Sequence, residues 1–238
     1  MTPNPLQAVV FDFDGVLVDS EPLHRQALQA LGSELGYTVS DAAYDQQLIA
    51  FDDRQAMRWI AQHAGLEPAE VAGNLADWIE HKQRWFEDHV RQHGAPPIPG
   101  AVELVRALAD AGVPRAIGSG ATRRDIAALL PALGLDGAFD LVVSADDVAR
   151  SKPDPETYAS AVRQLAQGHP DRAITPAGCV AIEDTAGGSR SAVGAGLAVA
   201  GVATTGPADR LLAAGAARVW PDPSHLTVPA LAELIASG

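Results

Sequence analysis

Cysteine is almost absent: the 238 residues include one, Cys179. A single thiol excludes an internal disulfide, and its place in the apolar run Cys179-Val180-Ala181-Ile182 points to a buried packing role. No stretch approaches the length of a membrane span, and the opening residues MTPNPLQ lack a basic-then-apolar signal pattern. Together these absences lead us to expect a cytoplasmic protein. Basic residues are scarce as well, 17 Lys and Arg against 30 Asp and Glu, for a net charge of −13. That balance argues against nucleic acid and anionic membranes as partners. It also means that an anionic substrate would need positive charge concentrated at its site.

What is present begins with hydrophobic content. At 47% hydrophobic residues, a chain of 238 can bury one full core domain plus a smaller second one. The run Gln7-Ala8-Val9-Val10-Phe11 reads as a buried strand, and Asp12 and Asp14 follow it one residue apart, with Gly15 next. Two carboxylates so close repel unless a cation or a shared proton stabilises them. A metal-dependent reaction with Asp12 as nucleophile and Asp14 as proton carrier meets that need. An Asp-rich turn closing a strand is the plainer alternative.

Beyond this point the strand pattern is interrupted. Residues 20–95 hold no convincing strand but several amphipathic helical stretches, Pro22–Leu35, Asp53–Ala64 and Pro68–Gln92. Trp59, Trp78, Trp85 and Phe86 fall on their apolar faces and are expected in a core. The stiff segment Ala95-Pro96-Pro97-Ile98-Pro99-Gly100 closes this part. Strands and helices then alternate: strands near 113–118, 139–144, 178–183, 197–202 and 217–220, with helices between them. The expected architecture is an α/β, Rossmann-like parallel sheet core, residues 1–19 and 96–238, with an inserted all-helical cap, residues 20–95. A helical insertion on two hinges reads as a mobile cap.

The remaining strand ends carry chemistry of their own. Strand 113–118 runs into Gly118-Ser119-Gly120-Ala121-Thr122, whose hydroxyl and N–H groups suit a phosphoryl oxygen and equally suit an ordinary helix start. The loop after strand 139–144 holds Lys152 in Ser151-Lys152-Pro153-Asp154-Pro155, a rigid setting that would aim its ammonium at a fixed anion. Strand 178–183 ends in Glu183-Asp184, which fits a hard-cation site or an acidic helix N-terminus. In a parallel sheet these ends share one edge, where ligands bind. Their conjunction favours a crevice with a nucleophile, an acid/base, phosphate donors and a divalent metal.

With those motifs in that order, the chain resembles the haloacid dehalogenase-like hydrolases, in the subgroup with a helical cap after the first motif. Within it the chain is similar to sugar-phosphate phosphatases and β-phosphoglucomutases. The resemblance runs essentially end to end and implies Mg²⁺ as cofactor. It makes Asp12 the phosphorylated nucleophile and Asp14 the general acid/base, also ligating Mg²⁺ through its backbone carbonyl. It assigns Ser119, with Gly120 beside it, and Lys152 to the phosphoryl oxygens, and Glu183 and Asp184 to the metal. Haloacid dehalogenases and phosphonate hydrolases lack an aspartate two positions after the nucleophile, so Asp14 argues against both chemistries.

Substrate selection is expected from the cap. His24 and Lys82 match residues that flank the site in related proteins, and Arg54, in Phe51-Asp52-Asp53-Arg54, is a candidate for a distal anionic group. The glycine usual in that loop is replaced by Ala50. After Ser119 the mutases carry a serine, a lysine and an asparagine for a second phosphate; here stand Ala121, Thr122 and Arg123, of which Arg123 can still meet an anion. The reading is therefore a Mg²⁺-dependent phosphatase of small phosphorylated metabolites, sugar or polyol phosphates, with a monomer favoured. The alternatives are a β-phosphoglucomutase-type mutase and a non-catalytic phospholigand-binding regulator. The regulator would have no need of Asp12, Asp14 and Lys152 together.

Overall fold

Short, largely apolar runs make strands, the central ones buried on both faces, and the computed structural model, which describes residues 6–236, builds six strands of three to five residues into one sheet. In chain order they are β1 (Ala8–Phe11), β2 (Arg115–Gly118), β3 (Leu141–Val143), β4 (Cys179–Glu183), β5 (Ala198–Val202) and β6 (Arg218–Trp220). Every pairing is parallel and the spatial order is β3-β2-β1-β4-β5-β6. Central β1 sets the register on both sides, Phe11 lying opposite Ile117 of β2 and Ile182 of β4. From β1 the chain winds outward through β2 and β3, then returns to the other side of β1 with β4. Order reverses between β1 and β4, so a crevice opens at their C-terminal ends.

Among the described residues ten α-helices accompany the strands: α1 (Glu21–Glu34), α2 (Asp41–Gln46), α3 (Asp53–His63), α4 (Pro68–His93), α5 (Ala101–Asp110), α6 (Arg123–Ala132), α7 (Glu156–Gly168), α8 (Ala186–Gly194), α9 (Ala208–Ala213) and α10 (Val228–Ala236). The chain divides into two compact units, Met1–Asp19 with Ala95–Gly238, and Ser20–Gly94. The first contains the sheet, with Val10, Ala116, Val143, Tyr158, Leu165 and Ala181 buried together in its core. Cys179 is buried there, as a packing role requires. Burial raises its thiol to about 12, so it stays protonated.

The second unit is helical throughout, as its 3.6-residue periodicity predicts. Leu28, Leu31, Met57, Ile60 and Leu75 form its core, Trp59, Trp78 and Trp85 pack partly buried against them, and Phe86 is buried. Asp52 caps α3 through Gln55 in a reciprocal capping box, which starts the helix at Asp53, where the sequence pattern places its start. Helix α2 has only six residues, too short for a periodic signal, and is held by the Ser40 cap and the buried Tyr44. No helix among the described residues is long and apolar enough to cross a membrane.

Candidate active site

Hydrogen bonding beyond the last residue of β1 places Asp12. Its N–H donates to the Ile182 carbonyl at 2.9 Å, extending the β1–β4 ladder by one residue, and its Oδ1 accepts from the Phe13 N–H at 2.7 Å. The carboxylate is thereby buried at the sheet edge. The chain then turns at Gly15, whose φ of 73° lies in the left-handed region. A Cβ there would stand 2.1 Å from Asp184 Oδ2, so glycine is needed for both backbone and space. The Thr204 hydroxyl, just past β5, donates to the Gly15 carbonyl at 2.5 Å and pins the turn that carries the half-buried Asp14.

Strand β4 delivers the adjacent acids to different surroundings. Glu183 is fully buried, and its Oε1 accepts from Lys152 Nζ at 2.6 Å and from the Tyr158 hydroxyl at 2.9 Å. Its Oε2 accepts from the N–H groups of Asp184 and Thr185, each at 3.0 Å, and from the Thr185 hydroxyl at 2.9 Å. Helix α8 passes so close that a Cβ on Gly188 would lie 1.6 Å from Glu183 Oε1. Lys152 bridges the two strand ends, lying 2.9 Å from Asp12 Oδ1 as well, with its ammonium 4.8 Å from the centre of the Tyr158 ring.

These contacts set the protonation energetics. Burial, then the Glu183 charge, pushes the Asp12 carboxyl well above the usual carboxylate range, against the opposing pull of Lys152. Burial raises Asp184 to about 7. Burial also opposes ionisation of Glu183, yet the Lys152 ammonium and the surrounding donors hold it below its ordinary value. Lys152 resists the same desolvation through Asp12 and Glu183, and its affinity for its proton rises.

A hard divalent cation fits this donor set. Ligand oxygens of Asp12, Glu183 and Asp184 lie within 4.8 Å of one another, and Asp184 Oδ1 is buried with no hydrogen-bond partner. Beside it, the end of β2 supplies Ser119. That residue is buried, its N–H bonds the Val143 carbonyl at 2.9 Å, and its Oγ accepts from the Ala121 N–H at 3.0 Å. An accepting hydroxyl retains its own proton for donation. Gly120, next along, is exposed, with open space where a side chain would stand.

Residues 6–196 match the family model of the haloacid dehalogenase-like hydrolases. The chain belongs to that family. This hydrolase is 29% identical over 205 residues to the validoxylamine A 7'-phosphate phosphatase of Streptomyces hygroscopicus subsp. limoneus, covering 86% of this chain and 89% of the relative. Among solved structures it is similar to CbbY from Rhodobacter sphaeroides in complex with phosphate (26% identity, TM-score 0.73, 93% of this chain and 96% of that one). It is also similar to a family hydrolase from Deinococcus radiodurans R1 with bound phosphate and sodium (30% identity, TM-score 0.71, 97% and 98% covered).

Of the residues singled out from the sequence of this hydrolase, Asp12, Ser119, Lys152, Glu183 and Asp184 lie at the C-terminal ends of neighbouring strands or in the loops that leave them. Arg123 does not offer a free guanidinium. It donates to Asp147 Oδ2 at 2.5 Å and to the Val142 carbonyl at 3.3 Å, on the rim of β3. In the helical unit, Lys82 is buried, with Nζ 2.7 Å from Asp53 Oδ1 and 3.1 Å from His24 Nδ1. The His24 ring stacks on Phe86 at 4.7 Å. Arg54 is exposed in the first turn of α3.

Four site residues escaped the sequence reading: Tyr158, Gly188, Thr204 and Thr205, whose hydroxyl donates to Asp184 Oδ2. Tyr158 looks like one more core residue of an amphipathic helix, because only its hydroxyl is polar. Gly188 sits in a small-residue helix start. The two threonines follow β5, where the polar residues carry no charge, and so drew no attention.

Proposed function

We propose that this chain is a Mg²⁺-dependent phosphatase of small phosphorylated metabolites, acting through an aspartyl-phosphate on Asp12. The observation that carries the reading is the buried meeting of Asp12, Lys152, Glu183 and Asp184 at the switch point between β1 and β4. Asp12, Asp184 and Glu183, with the Asp14 backbone carbonyl, would hold the cation. When bound, it supplies positive charge that offsets the phosphoryl oxygens and keeps Asp12 ionised.

The chain's own groups then divide the work. An Asp12 carboxylate oxygen attacks phosphorus in line, and the bond from phosphorus to the leaving alkoxide oxygen breaks. Asp14 gives its proton to that oxygen, releasing the alcohol. Lys152 and the Ser119 hydroxyl donate to the phosphoryl oxygens, and the Gly120 turn lets the group approach the backbone. Water next attacks the aspartyl-phosphate, Asp14 takes its proton, and phosphate leaves with Asp12 restored. Lys152 is held for this by Glu183 and Tyr158 rather than by solvent, so its ammonium is in place before substrate arrives.

A sugar or polyol phosphate is the substrate class we favour; the name of the Streptomyces relative likewise carries a phosphate ester, a 7'-phosphate. The mutase alternative needs a second phosphate grip after Ser119, and there Arg123 is already engaged by Asp147. Phosphate release should be measured over a panel of sugar, polyol and aryl phosphates with Mg²⁺ and with chelator. Release confined to the Mg²⁺ samples, and fastest on sugar or polyol esters, supports the reading. Release that persists undiminished in chelator, or none from any ester, overturns it.

A further inference from the structure

Metal ligands act through their orientation, and Asp184 is oriented by a residue outside its own strand. The Thr205 hydroxyl, on the segment leaving β5, donates to Asp184 Oδ2 at 2.5 Å and also lies 3.3 Å from the Asp184 carbonyl oxygen. Its methyl group packs over the Gly15 turn, where a Cβ would come within 2.8 Å of Thr205 Cγ2. Thr205 is thus wedged between the two strand ends, with its hydroxyl on one acid and its methyl against the turn that carries Asp14. The bond occupies Oδ2 and leaves Oδ1 buried and unpartnered.

Resting on the metal-dependent reading above, we propose that Thr205 is a positioning residue, whose hydroxyl fixes the Asp184 carboxylate so that Oδ1 serves the cation. Pre-set ligands lose less freedom when the ion arrives, and removal of such an outer partner typically weakens metal binding by about 10–100-fold. Threonine suits the task better than serine in one respect: its branched Cβ restricts χ1, so the hydroxyl direction is fixed by the backbone.

The test is a calorimetric titration of the full-length protein with Mg²⁺ alone, without substrate. Thr205→Val keeps the shape and removes the donor, and its Mg²⁺ dissociation constant should rise by about 10–100-fold. Thr205→Ser restores the donor and should return most of the affinity. A purely structural residue would behave differently: Thr205→Val would lower the melting temperature of the metal-free protein and leave the Mg²⁺ isotherm unchanged. That result overturns the proposal. Should the valine variant fail to fold, Thr205→Ala is titrated against the same criterion. Wild type that binds Mg²⁺ while both donor-less variants bind as tightly overturns the role of Thr205 alone; wild type that binds no Mg²⁺ overturns the metal reading with it.

Discussion

Two adjacent glycines at the start of α8 should respond to alanine in opposite directions. A Cβ on Gly187 meets nothing within 4 Å, whereas one on Gly188 would lie 1.6 Å from Glu183 Oε1 and 2.0 Å from its Cδ. Helix propensity alone favours alanine by up to about 1 kcal/mol at either position. At Gly188 that gain is overwhelmed, because the Glu183 carboxylate must leave the place where it binds Lys152 at 2.6 Å and Tyr158 at 2.9 Å. Breaking a buried ion pair typically costs about 3–5 kcal/mol. Subtracting the propensity gain, Gly188→Ala should lose about 2–4 kcal/mol, while Gly187→Ala should be neutral or slightly stabilising. Urea denaturation of both variants, metal-free and at neutral pH, reads the difference directly. Equal stabilities for the two variants, or a Gly188→Ala protein firmer than wild type, would refute the idea that α8 packs on Glu183 to hold Lys152.

Asp12→Asn should fold normally and lose turnover by at least about 10²-fold, with no acid-stable phosphate label on the protein, measured by steady-state phosphate release. Arg123→Ala should cost only about 1 kcal/mol in urea at neutral pH, since the pair with Asp147 is partly exposed. The hydrogen bond from Arg123 holds the Asp147 carboxyl down at about 2, so this stabilisation is present above the ordinary value of 3.8 and fades as pH falls toward 2; the gap between variant and wild type should close there. Asp184 has the opposite sign. Burial raises it to about 7, so the metal-free folded state keeps a proton that the unfolded chain releases, and this group's contribution to stability declines as pH rises from about 4 to 7. Mg²⁺ must displace that proton, so calorimetry in two buffers should detect proton release on Mg²⁺ binding below pH 7.

Much of this architecture was legible because strong local signals agree with one another. Apolar runs such as Val9-Val10-Phe11 and Cys179-Val180-Ala181-Ile182 admit few states other than buried parallel strands, and every one of the strands read from the sequence is in the sheet. The charged residues at their ends were equally visible, because a carboxylate or an ammonium after an apolar strand has no packing reason to be there. What escaped lacks charge or length. Helix α2 is six residues long, and its cap, Ser40, resembles any loop serine. Thr205 and Tyr158 matter through one hydroxyl each, and hydroxyls occur all over a chain without consequence. Arg123 illustrates the converse: its charge drew attention, but its partner is set by Asp147, 24 residues further on, a relation that only the fold of β3 onto β2 creates.

The division between Glu183 and Asp184 shows how a sequence pair of like residues becomes two different groups. Glu183 ends the strand with five donors on its two oxygens, from Lys152, Tyr158, the Asp184 and Thr185 N–H groups and the Thr185 hydroxyl. Its charge is well supported by these donors, and its Oε1 meets the Lys152 ammonium. Asp184, one residue on, has left the strand and holds a single side-chain donor, Thr205. Fully ionised, the three carboxylates of the cluster and the one ammonium leave two negative charges in a site that desolvation makes hostile to them. A cation of charge two is the smallest addition that cancels this. Once it is cancelled, the site no longer repels an anion, and the Lys152 ammonium and the N–H groups at the sheet edge can donate to one. That explains how a chain with a net charge of −13 can present an attractive surface to a phosphate ester.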